Sequence, residues 1–148
     1  MPTVLALLTL AACGGKQAEP EVAAEPAAAI NSNIPQDAKS QSFAKSLMGL
    51  NITNFKPSDA MGGAVLTYNS LSFRPDGTWH AAGSVAIGED SMECNEQGTW
   101  TMEPAEPAST ATMTWSLEST DCAGRKSGTE QRVQMSILNN GQYKVLFR

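Results

Sequence analysis

The sequence predicts an all-β domain, a small antiparallel up-and-down barrel of about seven strands with one short N-terminal helix, and a β-sandwich is the alternative. Three observations lead to this prediction. Apolar and polar residues alternate with a period of two in several segments, which is typical of strands with one buried face. Turn-forming residues separate these segments, and one stretch ahead of them has helical spacing.

The helical stretch is predicted over residues 38–48. Phe43 and Leu47 are spaced to lie on one helix face, Asp37 stands where an N-cap is expected, and Gly49 is placed to end the helix.

Strands are predicted after this helix. Residues 111–117 alternate most strictly, with an alanine, a methionine, a tryptophan and a leucine separated by polar side chains. The run at 65–73 changes phase near Ser70, which indicates a β-bulge. The other predicted strands cover 50–55, 79–87, 92–102, 133–137 and 143–147.

Two hairpin turns are indicated by their residue types. Pro75-Asp76-Gly77 and Asn139-Asn140-Gly141 lie between alternating runs, and their Asn, Asp and Gly residues tolerate the positive φ angles that tight hairpins need.

The N-terminus has the form of a targeting segment. A short apolar run ends in Leu10-Ala11-Ala12-Cys13, which resembles the lipobox of bacterial lipoprotein precursors. The resemblance implies that residues 1–12 are a signal peptide and that Cys13 becomes lipidated. The run is far shorter than the ~20 residues that a membrane-spanning helix needs.

The segment after the lipobox is predicted to be a tether. Residues 13–36 are rich in Ala, Glu and Pro and poor in large apolar side chains, so they cannot bury enough surface to fold. Residues 37–148 then form one domain. Gly14 follows the cysteine where an inner-membrane retention signal would place Asp, so the resemblance implies a bacterial outer-membrane lipoprotein whose domain faces the periplasm.

Cys94 and Cys122 are predicted to form a disulfide, because lipidation of Cys13 leaves an even pair in an oxidising compartment. A metal pair is disfavoured, since the chain has no C-x-x-C motif and a single histidine.

The formal net charge of −5 argues against binding to nucleic acid or to anionic lipid headgroups. Charge is also segregated along the chain: between Asp76 and Asp121 there is no Lys or Arg, whereas basic residues gather towards the C-terminus. Acidic and basic strands are therefore expected to pair across the sheet.

No catalytic, metal or cofactor site is predicted. His80 is expected on an exposed strand face, and the chain lacks a G-x-S-x-G nucleophile elbow, so the protein is not expected to be an enzyme. The cluster of Glu89, Asp90, Glu93 and Glu96 offers oxygen ligands for calcium but does not match the spacing of a calcium loop.

Aromatic and methionine side chains share the inward parity of the predicted strands. They would either fill the barrel or line a pocket for an apolar ligand, and the sequence leaves both open. The set includes the candidate ligand-lining residues Trp79, Trp100, Trp115, Met113 and Tyr143, together with Met92, Met102 and Met135.

Gly77-Thr78-Trp79 and Gly98-Thr99-Trp100 are similar to the G-x-W element of lipocalin-like and avidin-like barrels. The resemblance implies a lipocalin-like fold and carries no binding residue with it.

Arg125 and Lys126 are expected on an exposed loop beside the disulfide, as a contact patch for an acidic partner.

These observations together predict a non-catalytic, lipid-anchored envelope protein that binds a partner protein through its surface. Small lipoproteins that inhibit lysozyme share this outline of anchor, tether and disulfide-braced β-domain. The alternative is a lipocalin-like carrier of a lipid or another small apolar molecule.

Overall fold

The computed structural model of the protein describes residues 33–57 and 62–148. The predicted signal peptide 1–12, Cys13 and most of the predicted tether lie outside the described residues. No helix within the described ranges is long and apolar enough to cross a bilayer.

Helix α1 spans Ala38–Met48, which confirms the predicted helix. The Asp37 carboxylate accepts a hydrogen bond from the backbone N–H of Ser40 at 2.9 Å, as an N-cap side chain should. Gly49 ends the helix. Phe43 and Leu47 are buried and attach the helix to the sheet.

Six antiparallel strands form one sheet in which each strand pairs with its neighbours in sequence. The sheet curls into an open half-barrel. The prediction of an antiparallel β-domain with one short helix is confirmed, but seven strands, a closed barrel and the two-sheet sandwich are wrong. The strands are β1 (Val65–Phe73), β2 (Thr78–Ile87), β3 (Asp90–Met102), β4 (Thr110–Thr120), β5 (Glu130–Ile137) and β6 (Tyr143–Phe147).

The predicted strand at 50–55 forms only two isolated bridges to β1, Ile52 with Leu71 and Phe55 with Tyr68. Asn54 takes a left-handed conformation with φ of 52°, which breaks the extended backbone that continuous pairing needs. This segment accounts for the difference between six strands and seven.

Phe55 lies between the two edges of the open sheet. Its ring centroid is 6.0 Å from that of Tyr68 on β1 and 6.1 Å from that of Phe147 on β6. Side-chain packing therefore spans the gap where a closed barrel would have hydrogen bonds.

Two irregularities bend the sheet. The first lies between Tyr68 and Ser70 in β1, which confirms the predicted bulge, and the second lies between Gln97 and Gly98 where β3 meets β4. A Cβ added at Gly98 would stand 1.8 Å from the carbonyl oxygen of Ser116, so the strands approach so closely there that only glycine fits.

The two G-x-W elements pack against each other. Trp79 is the cross-strand partner of Gly98, and the backbone N–H of Trp100 donates to the carbonyl oxygen of Gly77 at 2.8 Å. The two motifs thus lie side by side, at the start of β2 and on β3.

The inner face of the sheet is filled. Trp100 and Met113 are 0% exposed, and the ring of Phe73 lies 5.8 Å from Trp100 and 5.2 Å from Trp115. Ile34 falls within the predicted tether, yet it is 5% exposed and belongs to this core.

Met92 is 49% exposed, so its predicted inward position is wrong. Strand β4 pairs with β3 only from Glu96 onward. Met92 therefore lies on a part of β3 that extends beyond β4 and has no strand on that side to pack against.

Candidate functional site

A polar groove lies on the outer face of β1 to β4 and encloses about 350 Å³. The strand register places Ser72, His80, Gln97 and Ser119 directly opposite one another in a row across the four strands. Because alternate residues of a strand point to opposite faces, this row lies on the side away from the buried Trp79. The groove is lined by Ser70, Ser72, His80, Ala81, Ala82, Asn95, Glu96, Gln97, Ser119, Thr120 and Asp121.

The groove lies between the two irregularities of the sheet. Ser70 follows the bulge in β1, and Gln97 borders the shift between β3 and β4, where Glu118 is the extra residue. Bulges increase the local twist of a sheet and redirect side chains, and they are frequent beside functional sites. The groove is thus flanked by a bulge on each side.

The charge in and around the groove is negative. Asp121 is exposed, and its carboxylate accepts a hydrogen bond from the backbone N–H of Asn95. Glu93 lies two residues before Asn95, on the same face of β3, and is exposed. Apart from two alanines, the described groove residues carry hydroxyls, amides, one imidazole and carboxylates, and none of them is a lysine or an arginine.

A buried ion pair lies behind the groove. The carboxylate of Glu96, whose side chain is 0% exposed, accepts hydrogen bonds from Arg125 Nε at 2.9 Å and Arg125 Nη2 at 3.3 Å. Thr120 Oγ1 donates to the same carboxylate at 2.8 Å, and the Tyr68 hydroxyl donates to its other oxygen. Burial raises the pKa of Glu96, and the hydrogen bonds from Tyr68 and Thr120 act in the opposite direction.

The predicted disulfide is confirmed. Cys94 on β3 and Cys122 after β4 are joined, with their Cα atoms 4.9 Å apart. Asp121 directly precedes Cys122, so the disulfide fixes one wall of the groove. Cys94, Cys122 and Asp121 form the one group of three close metal-ligand side chains within the described part of the chain, but the joined sulfur atoms are not thiolates.

Arg125 differs from its predicted position on an exposed loop. Its side chain is 8% exposed because the guanidinium turns inward to Glu96, and only Lys126 of the predicted contact patch is exposed. Glu96 is likewise separated from the other three carboxylates of its predicted cluster, since it lies on the inner face while Glu89, Asp90 and Glu93 are exposed.

The candidate ligand-lining residues lie in the core. Trp79, Trp100, Trp115 and Met113 are buried, whereas Tyr143 is partly exposed on β6. None of them lines the groove. A second cavity of about 520 Å³ lies beside the C-terminal end of α1, and it too is lined by other residues, among them Lys45, Leu50 and Leu138.

The groove itself was not predicted. Its side chains occupy the polar positions of their strands, which resemble any solvated sheet face. The phase change near Ser70 and the single histidine, His80, are the two sequence signals that fall within it.

Comparison with known proteins finds no matching family model, no similar curated protein and no similar solved structure.

Tyr68 gives the fold a dependence on alkaline pH. Burial, followed by its hydrogen bond to Glu96, raises the pKa of Tyr68 well above its ordinary value of 10.0. The unfolded chain loses this proton near pH 10 and the folded chain keeps it, so the stabilisation is complete below pH 10 and is lost as pH rises above it. We expect the free energy of unfolding to fall by about 1.4 kcal/mol per pH unit there on account of Tyr68 alone.

Urea denaturation at pH 9, 10 and 11 measures this effect. Tyr68→Phe should remove the part of the slope that Tyr68 supplies, whereas Tyr143→Phe, which replaces the only other tyrosine, should leave that part in place. Equal slopes in the wild type and Tyr68→Phe would contradict the expectation.

Proposed function

We propose that the protein is a non-catalytic, lipid-anchored protein of the bacterial envelope that binds a partner protein through the outer face of its β-domain. The observation that carries the proposal is the polar groove between the two bulges, on a sheet whose other face packs the hydrophobic core. Hydrogen-bonding groups on a rigid, exposed surface suit recognition of another macromolecule.

The proposed anchor rests on the N-terminal sequence. Leu10-Ala11-Ala12-Cys13 resembles a lipobox, and residues 13–36 would hold the domain away from the outer membrane on its periplasmic side. Two or more acyl chains on Cys13 would make the attachment effectively permanent. Metabolic labelling with a radioactive fatty acid should mark the wild type and leave Cys13→Ser unlabelled.

The packed interior favours surface binding over the carrier alternative. A carrier needs a hollow site for an apolar molecule, whereas Trp100 and Met113 are fully buried among their neighbours. The groove also favours binding over catalysis, because His80 has no hydrogen bond to a carboxylate among the described residues that would orient it as a base.

Site-specific photocrosslinking in a bacterial host tests the proposal. A photoreactive amino acid at Gln97, inside the groove, should yield a discrete crosslinked protein. The same amino acid at Thr101 provides the control, since Thr101 is exposed on the same strand and the same face but lies outside the groove. Equal crosslinking at both positions, or none at Gln97, would count against binding at this surface.

A further inference from the structure

Some of the lysine and arginine side chains in the described part of the chain form ion pairs with carboxylates. Three ion pairs occur within residues 33–57 and 62–148: Lys39 with Glu106, Arg125 with Glu96, and Arg132 with Glu103. The predicted pairing of acidic and basic segments is therefore only partly realised.

Glu96 is the one carboxylate of the groove lining that takes part in these pairs. Glu93, Glu118 and Asp121 have no ion-pair partner among the described residues. Between Arg74 and Arg125 the chain has no lysine or arginine, so β2, β3 and β4 supply no cation of their own to this face. Among the described residues, the negative charge of Asp121 in the groove, and of Glu93 and Glu118 beside it, is therefore not neutralised by an ion pair.

We infer that the outer-face groove, bounded by His80, Gln97 and Asp121, receives an arginine side chain from a basic loop of the partner protein. This inference rests on the proposed function and names the chemistry of the partner. Asp121 Oδ1 accepts from Asn95, and a carboxylate can accept several hydrogen bonds. A guanidinium matches the geometry of a carboxylate and presents further donors to neighbouring amide and hydroxyl oxygens.

The size of the groove agrees with this occupant. About 350 Å³ is near the lower end of the range for small-molecule pockets, which suits one or two inserted side chains rather than a large ligand. The carboxylates at its rim would also attract a basic protein during encounter, so binding should weaken as the salt concentration rises.

The single histidine of the chain gives a direct measurement, because its imidazole resonances in an NMR spectrum can come only from His80. The disulfide-bonded full chain is titrated with a tetra-arginine peptide amide and, separately, with a tetraserine peptide amide. We expect a saturable shift of the His80 resonances with tetra-arginine, weakened by added salt, and a much smaller response to tetraserine.

Two charge-removing variants locate the binding site. Asp121→Asn keeps the oxygen that accepts from Asn95 and should lower the affinity for tetra-arginine about tenfold, as expected for loss of one charge-assisted hydrogen bond. Glu106→Gln removes the same charge from the loop between β3 and β4 and should change the affinity less than about twofold. Equal losses in both variants, or equal responses to tetra-arginine and tetraserine, would overturn the inference.

The two proposals fail in different ways. A partner crosslinked at Gln97 together with no response to tetra-arginine would overturn the basic-loop inference and support binding at the groove. A response to tetra-arginine that Asp121→Asn abolishes, with no crosslinked partner at Gln97 in the host, would support the preference for guanidinium and overturn the proposed partner binding.

Discussion

Replacing Arg125 with methionine is expected to lower the free energy of unfolding by about 3–5 kcal/mol. The substitution leaves the Glu96 carboxylate in the interior without its cation, and its two remaining donors are the neutral hydroxyls of Tyr68 and Thr120. Glu96 is 3% exposed, so water cannot replace the guanidinium without opening the fold.

Chemical denaturation at neutral pH measures this change. Lys126→Met is the matched control, because Lys126 is the adjacent residue, is exposed and should tolerate the same substitution within about 0.5 kcal/mol. The double variant Glu96→Leu with Arg125→Met removes both charges and should recover a large part of the loss. If Arg125→Met and Lys126→Met were equally stable, the buried pair would not contribute as described.

Removing the disulfide is the second large effect. Cys94→Ser with Cys122→Ser should lower the free energy of unfolding by about 3–4 kcal/mol, because the bond closes a loop between residues 28 positions apart and restricts the unfolded chain. Cys13→Ser serves as the control, since this residue is predicted to be lipidated and not paired.

The wild type under reducing conditions should match the double serine variant in urea denaturation. In NMR spectra of the reduced wild type, the backbone amide resonances of Asn95 and Gln97 should shift, because the disulfide fixes this part of β3 against Asp121. A loss below about 1 kcal/mol would mean that the rest of the fold already restrains this loop.

Local sequence patterns were sufficient to predict most of the fold. Asp37 and Gly49 bound the helix through capping, and alternation located the five later strands to within a few residues. The error at 50–55 arose because apolar residues there resemble a strand, whereas the left-handed Asn54 prevents continuous pairing. Strand count and closure depend on such backbone detail, which local composition does not encode.

The site was harder to predict from the sequence than the fold, because its features depend on residues that are distant from one another along the chain. Arg125 looked exposed from its glycine-flanked loop, but its guanidinium pairs with a carboxylate that lies 29 residues earlier. The groove is lined by residues of four strands and flanked by two bulges, so the pattern of a single strand does not predict it. His80 was correctly placed on the face opposite Trp79, although the concavity around it could not be anticipated.

The strand order of the sheet has a consequence for how the chain folds. Each hairpin joins strands that are adjacent in sequence, so most of the sheet can assemble through short loops, and such contacts form rapidly. The contact of Phe55 with Phe147 joins residues that are far apart in the chain and carries a large loop-closure cost. This aromatic contact should therefore form late, after the sheet has curled, and its formation would complete the enclosure of the core.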